Sequence, residues 1–330
     1  MKMAIVGAGA IGGWIAARWA TQAAPDERPE LSVLARGATL AALQTQGLRL
    51  RHADGETWHC AVRASDRAEA LGPQDLVVLA VKAPALPQAV PALLPLLGPD
   101  TRVLVAMNGV PWWFFESLDG PCRGLRLDSV DPGGRLAEML PAWRVVGSVV
   151  HASCRLAAPA VVQHVMGRGL ILGDPAGGRD PFVDELAARL QRAGFEASVS
   201  ERIQRDIWFK LWGNMTMNPI SALTGATCDR ILDDELVRGL VTAVMREAAA
   251  IGERIGCAID QTPEQRHAVT RKLGAFKTSM LQDVEAGRPI ELDALVGAVR
   301  ETGQHLGLPT PFTDALLGLT RLMAQSRGLL

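Results

Sequence analysis

An apolar run, Met3-Ala-Ile-Val6, turns directly into Gly7-Ala-Gly-Ala-Ile-Gly12 and then into the small and apolar residues Trp14 to Ala20. A strand, a tight turn and a helix with glycines spaced G-x-G-x-x-G form the first unit of a doubly wound α/β domain that binds dinucleotides. Each glycine has its own task. Gly7 permits the turn, Gly9 lets the backbone approach a pyrophosphate, and Gly12 allows the helix to pack closely on the strand, while the helix N-terminus receives the negative charge. The expected cofactor contacts here are Gly7, Ala8, Gly9, Ala10, Ile11 and Gly12.

The second apolar run, Leu31-Ser-Val-Leu-Ala35, ends in Arg36, and no Asp or Glu follows before Asp54. An NAD site would carry an acid about 20 residues after the glycines to hold the ribose 2′-hydroxyl. A guanidinium instead can pair bidentately with a 2′-phosphate, which makes NADPH the expected cofactor. The alternative is that Arg36 only solvates a strand end. Two further buried-type runs, Leu76–Val81 and Arg102–Met107, end in Lys82 and Asn108. Ligands of open α/β sheets bind at the carboxyl ends of strands, so both residues join the candidate set.

At 330 residues the chain exceeds the usual single domain, and the pattern divides it into an α/β nucleotide-binding domain, 1–199, and an all-helical domain, 200–330. Val145–His151, Val161–Val165, Gly169–Gly173 and Phe195–Val199 read as strands of the first, with a turn at Gly167 to Gly169 and a helix over 182–192. From Ile203 onward no strand is expected, and helices break near Gly225, Gly256–Pro263, Gly287–Pro289 and Gly307–Pro311. Thr262 is a helix cap with Pro263 in the first turn.

Lys and Arg number 34 against 35 Asp and Glu, which gives no reason to expect a nucleic acid or membrane partner. The five cysteines are widely spaced and form no C-x-x-C pair, so they read as buried thiols, with neither a disulfide framework nor a metal site. The first strand starts too early for a leader peptide, and Lys82, Gln88 and four prolines interrupt the apolar stretch 76–97, so the expectation is a soluble cytoplasmic protein. His151 and His164 have no carboxylate nearby in sequence to orient a catalytic ring, and both read as structural.

Lys210, Asn214 and Asn218 recur every fourth residue, which puts them on one helix face among Ile207, Leu211, Met215 and Met217. A lysine in apolar surroundings has its charged form disfavoured, which lowers its pKa and makes it a better proton donor near neutral pH. The same spacing also fits a polar stripe on an amphipathic helix. Gly213, Asn214 and Asn218 all weaken a helix, however, and their grouping asks for a reason, of which function is one.

G-A-G-A-I-G at the start, Arg36, Val81-Lys-Ala83, Asn108-Gly109, Trp208-x-Lys-Leu-x-x-Asn214-x-x-x-Asn218-Pro219, Ser279-Met-Leu-Gln-Asp283 and Glu291-Leu-Asp293 together resemble the ketopantoate reductase (2-dehydropantoate 2-reductase) family, in order and over nearly the whole chain. The resemblance implies an oxidoreductase that reduces a 2-keto group with NADPH on the way to D-pantoate and pantothenate. It implies Lys210 as general acid, with Glu291 holding the substrate hydroxyl and tuning Lys210. Ser279 would contact the carboxylate, while Asn108, Asn214 and Asn218 position the substrate and Asn108 also meets the nicotinamide. Arg36 and Lys82 would hold the 2′-phosphate side of NADPH. The implied partners are a small 2-ketoacid and a second copy in a homodimer.

The chain departs from that pattern at Phe276 and Cys228, where some members carry asparagine, and in a bulky Pro111-Trp-Trp-Phe-Phe115 and an insertion near 128–134. The aromatic run reads as core or interface packing, the alternative being a wall of the cleft. Three functions stay open: reduction of ketopantoate, reduction of another branched 2-ketoacid, and a non-catalytic nucleotide-binding module. Retention of Lys210 and Glu291 speaks against the last.

Overall fold

Met3, Ala4 and Ile5 have no solvent exposure, as a strand covered on both faces requires, and they form an interior strand of a ten-stranded sheet. The computed structural model describes residues 1–330. Its strands are β1 (Lys2–Val6), β2 (Glu30–Leu34), β3 (Leu48–Arg51), β4 (Thr57–Cys60), β5 (Arg63–Ser65), β6 (Gln74–Leu79), β7 (Leu97–Val105), β8 (Val145–Ala158), β9 (Val161–Gly173) and β10 (Glu196–Val199). They lie in the order β4-β3-β9-β8-β7-β6-β1-β2-β5, with β10 also paired to β9. From β5 through β8 all neighbours are parallel, and β1 sits between β2 and β6. The chain winds outward from β1 to β2 and then returns to β6 on the other side, which makes the carboxyl end of β1 the switch point where such sheets open a ligand crevice.

Two features of this sheet differ from the sequence reading. The expected turn at Gly167 to Gly169 is absent, and β9 runs unbroken. Pairing steps from His151 opposite Gly169 to Ser153 opposite Met166, so β9 carries one residue more than β8. Gly167 takes the extra residue in a left-handed conformation (φ 77°), which makes the glycine pair the mark of a bulge. The hairpin β3–β4 was not anticipated. Leu48 and Leu50 point inward, and the connection closes through His52 N–H to Glu56 O and Gly55 N–H to His52 O.

The helix Ala10–Gln22 covers the sheet with Trp14, which stacks on His164 at 6.0 Å and meets Phe195 edge-on at 5.1 Å. His164 is buried, and its Nε2 lies 2.6 Å from Gly167 O, a packed histidine without a carboxylate partner. Arg102 pins the loop before the helix Pro181–Arg192 by pairing with Asp174 at 3.0 Å and Asp180 at 3.2 Å.

After β10 every element is helical: Ile203–Thr224, Cys228–Asp233, Glu235–Arg254, Pro263–Arg271, Ser279–Glu285, a π-turn Asp293–Gly297 leading into Ala298–His305, and Pro311–Ser326. Thr262 caps its helix, and Gln265 returns the bond in a reciprocal capping box. Trp208 and Trp212 donate their indole N–H groups to Ala248 O and Met245 O, which locks the first long helix to the helix Glu235–Arg254. Trp112 to Phe115 are buried, and Phe114 packs against Trp208 with ring centres 6.0 Å apart, so the aromatic run is core packing.

By compactness the chain divides into residues 1–107 with 136–203, and 108–135 with 204–330. The second unit therefore includes a stretch, 108–135, that a single cut at 199 assigns to the first. No helix is long and apolar enough to cross a membrane.

Candidate active site

The first unit supplies the glycine turn. Gly7 follows β1 with φ 95°, and a Cβ there would lie 2.7 Å from Ala80 O, so both conformation and space demand glycine. A Cβ on Gly12 would collide with the Gly7 carbonyl oxygen and come within 3.0 Å of the Ala80 Cβ. Gly9 is the opposite case, since a Cβ there would meet nothing within 4 Å. The first intrahelical bond is Gly13 N–H to Gly9 O, which leaves the amides of Ala10, Ile11 and Gly12 ahead of it at the positive end of the helix. Open space over Gly9 beside those amides suits a pyrophosphate.

Arg36 stands two residues past β2 in extended conformation, exposed, at the N-cap of the helix Gly37–Gln46. Its guanidinium makes no ion pair with the chain. Lys82 stands three residues past β6, half-buried, at the N-cap of a short 3₁₀ turn. Because β6, β1 and β2 are adjacent and parallel, Gly7, Arg36 and Lys82 leave the sheet at the same edge.

The second unit supplies the polar stripe. Lys210, Asn214 and Asn218 lie on the helix Ile203–Thr224, whose other positions are mostly buried, so the stripe is not a solvent face. Lys210 Nζ donates to Asn108 Oδ1 at 2.8 Å. Burial of the ammonium pulls the Lys210 pKa down to about 8, against the opposing pull of the Glu291 carboxylate. The structure thus brings Lys210, Asn108 and Glu291 together. Asn218 is 4% exposed, and the side-chain amides of Asn214 and Asn218 make no hydrogen bond within the protein.

Glu291 immediately precedes the helix that begins at Leu292, and its carbonyl accepts the N–H of Leu295. It is therefore the residue before the first turn. Ser279 opens its helix but does not cap it; Thr278 does, accepting from Leu281 N–H. Ser279 is exposed, without a hydrogen bond to the chain. Thr278 Oγ1 and Ser221 Oγ are hydrogen-bonded, and Ser221 also donates to Asn218 O, which ties the Ser279 helix to the end of the stripe.

Gly213 has a packing reason. A Cβ on it would lie 2.9 Å from Arg266 Nη2, and that guanidinium also covers the Phe209 ring at 5.0 Å. Sequence reasoning missed the π-turn Asp293–Gly297; within it, burial raises the pKa of Asp293, with Arg321 opposing.

A family model described as ketopantoate reductase PanE/ApbA matches residues 3–112, and that of its C-terminal domain matches residues 202–324. The chain is 48% identical over 328 residues to a 2-dehydropantoate 2-reductase of Mesorhizobium japonicum, covering 99% of each. It is 26% identical to that of Pyrococcus horikoshii, with 97% of each covered. A crystal structure from Ralstonia solanacearum MolK2, of a protein assigned as a ketopantoate reductase, superposes with a TM-score of 0.94 at 58% identity, covering 100% of this chain and 99% of that one. Both halves match in order and a relative matches over the full length: the chain belongs to the ketopantoate reductase family of oxidoreductases.

Proposed function

We propose that the chain reduces a 2-ketoacid with NADPH, ketopantoate to D-pantoate first among them, with Lys210 as the proton donor. One observation carries this reading: an ammonium with its pKa near 8 is held 2.8 Å from an amide oxygen on a helix face bearing two unpartnered amides. A carbonyl being reduced gathers negative charge on its oxygen, and a donor poised close to neutral pH is what that oxygen needs.

The first unit takes the cofactor. Gly7 to Gly12 leave room for the pyrophosphate, and Arg36, with no acid in its place and no ion pair of its own, is free for a 2′-phosphate, with Lys82 at the same edge. When bound, NADPH supplies the hydride that goes to the carbonyl carbon. Lys210 gives a proton to the carbonyl oxygen, so the product is the 2-hydroxy acid, and Lys210 regains its proton from solvent. Glu291 favours the charged lysine and accepts from the substrate hydroxyl. Asn108 orients the ammonium and meets the nicotinamide end, Asn214 and Asn218 bond the substrate oxygens, and Ser279, at a helix N-terminus, receives the carboxylate.

A second reading within the same chemistry is a different branched 2-ketoacid. Cys228 N–H donates to Phe276 O at 3.0 Å, so the two positions that depart from the family pattern are neighbours, and together they remove two amides from one place. Following NADPH consumption by purified protein with ketopantoate and a panel of branched 2-ketoacids decides between them. Fastest turnover of ketopantoate supports the first reading, and fastest turnover of an acid lacking the hydroxyl supports the second. No turnover of any acid, with NADPH still bound, contradicts both.

A further inference from the structure

The side chain that meets Lys210 belongs to a turn whose backbone is fixed from elsewhere in the second unit. Gly109, next to Asn108, has φ 84°, and a Cβ on it would collide with the Ala294 carbonyl oxygen and lie 2.6 Å from its carbon. Val110 N–H donates to that same carbonyl at 2.9 Å. Ala294 lies in the π-turn, where Ala298 N–H reaches five residues back to Asp293 O. In an uninterrupted α-helix that N–H would bond Ala294 O. The extra residue releases the carbonyl, and the Asn108–Val110 turn takes it. Single π-turns inside α-helices are often found at functional sites, and here the turn has an identifiable use.

The same stretch is held at further points. Phe114 packs on Trp208, two residues before Lys210, and at the far end the Glu301 carboxylate accepts from Asp128 N–H at 2.8 Å and Ser129 N–H at 2.9 Å. Glu301 lies on the helix that continues the π-turn. With its backbone so fixed, Asn108 has only its two side-chain torsions left, and its Oδ1 meets the ammonium.

We propose that Gly109 and the Ala294 carbonyl of the π-turn form a positioning device that sets the Asn108 amide against Lys210, so that the donor is aimed before substrate arrives. The proposal rests on Lys210 being the acid. An oxygen acceptor favours the charged lysine, so losing it lowers the pH at which the donor is spent. Glu291 also favours the charged lysine, and none of the substitutions below touches it.

The test is steady-state kinetics across pH, with NADPH and the best 2-ketoacid, for the unsubstituted protein, Gly109→Ala, Asn108→Ala and the double variant. Gly109→Ala and Asn108→Ala should each lower kcat by about 10- to 100-fold, a part of what a general acid supplies, and move the alkaline limb of kcat/KM to lower pH. The double variant should be no worse than Asn108→Ala alone, because one acts through the other. Additive losses, or a Gly109→Ala protein that melts earlier with its alkaline limb unmoved, overturn the proposal. Unchanged kinetics in Asn108→Ala would overturn the device while leaving the reduction itself and Lys210 as its acid in place. If Gly109→Ala does not fold, amide exchange in the unsubstituted protein decides: Val110 N–H should be protected like a helix interior, and exchange at loop rates overturns the device.

Discussion

As the proposed proton donor, Lys210 has to meet two demands that conflict in water: to carry a proton at neutral pH and to release it readily. Burial lowers its pKa to about 8 and Glu291 holds it from falling further, so the donor is charged below that pH and spent above it. Lys210→Ala should cut kcat by about 100- to 10,000-fold with NADPH affinity nearly unchanged; a parallel collapse of both would make the lysine structural. In the first unit, Arg36→Asp should weaken NADPH far more than NADH in a binding titration, and equal weakening would refute a 2′-phosphate role. The positions of these residues in the fold were legible because their signals are local: a period of four for Lys210, Asn214 and Asn218, and the end of a strand for Arg36 and Lys82. Gly213 was visible as an oddity but not explained, since its cause, Arg266, lies 53 residues away in sequence and only the packed structure brings it close. Which of the adjacent Thr278 and Ser279 caps the helix is finer than propensity can resolve.

At the scale of elements, the glycine turn separates two jobs that one motif joins. Gly12→Ala forces a Cβ into the Gly7 carbonyl and should destabilise the fold by about 1–3 kcal/mol through overpacking. Gly9→Ala meets nothing in the protein, so its melting temperature should stay near that of the unsubstituted chain while NADPH binding weakens. If calorimetry found the two equally destabilised, the space over Gly9 would not be a ligand site. Apolar runs announced β1, β2, β6, β7 and β8, and Gly and Pro announced four of the helix breaks. The hairpin β3–β4 carried a signal that was not used, Asp54-Gly55 between short alternating segments. The bulge at Gly167 and the π-turn could not be read locally, because each is defined by what pairs with it across the sheet or from the 108–110 turn.

For the whole molecule, the fold class was legible and the partition only roughly so. Residues 108–135 join the helical unit through contacts that span more than half the chain, Val110 to Ala294 and Asp128 to Glu301, and the aromatic run 111–115 within them does not by itself say which unit they join. Cofactor binding to the first unit should raise the melting temperature by mass action, about 2.7 kcal/mol at a hundredfold excess over Kd. NADPH should do so at lower concentration than NADH, and the reverse order would assign the site to NAD. The central claim is that a buried lysine protonates the reduced carbonyl, and the pH dependence of kcat/KM for NADPH-dependent ketopantoate reduction tests it most directly. The account predicts a rate that is level toward neutral pH and falls by one proton above a pH of about 8, with that fall absent from the residual rate of Lys210→Ala. The same alkaline fall persisting in the Lys210→Ala protein would contradict it.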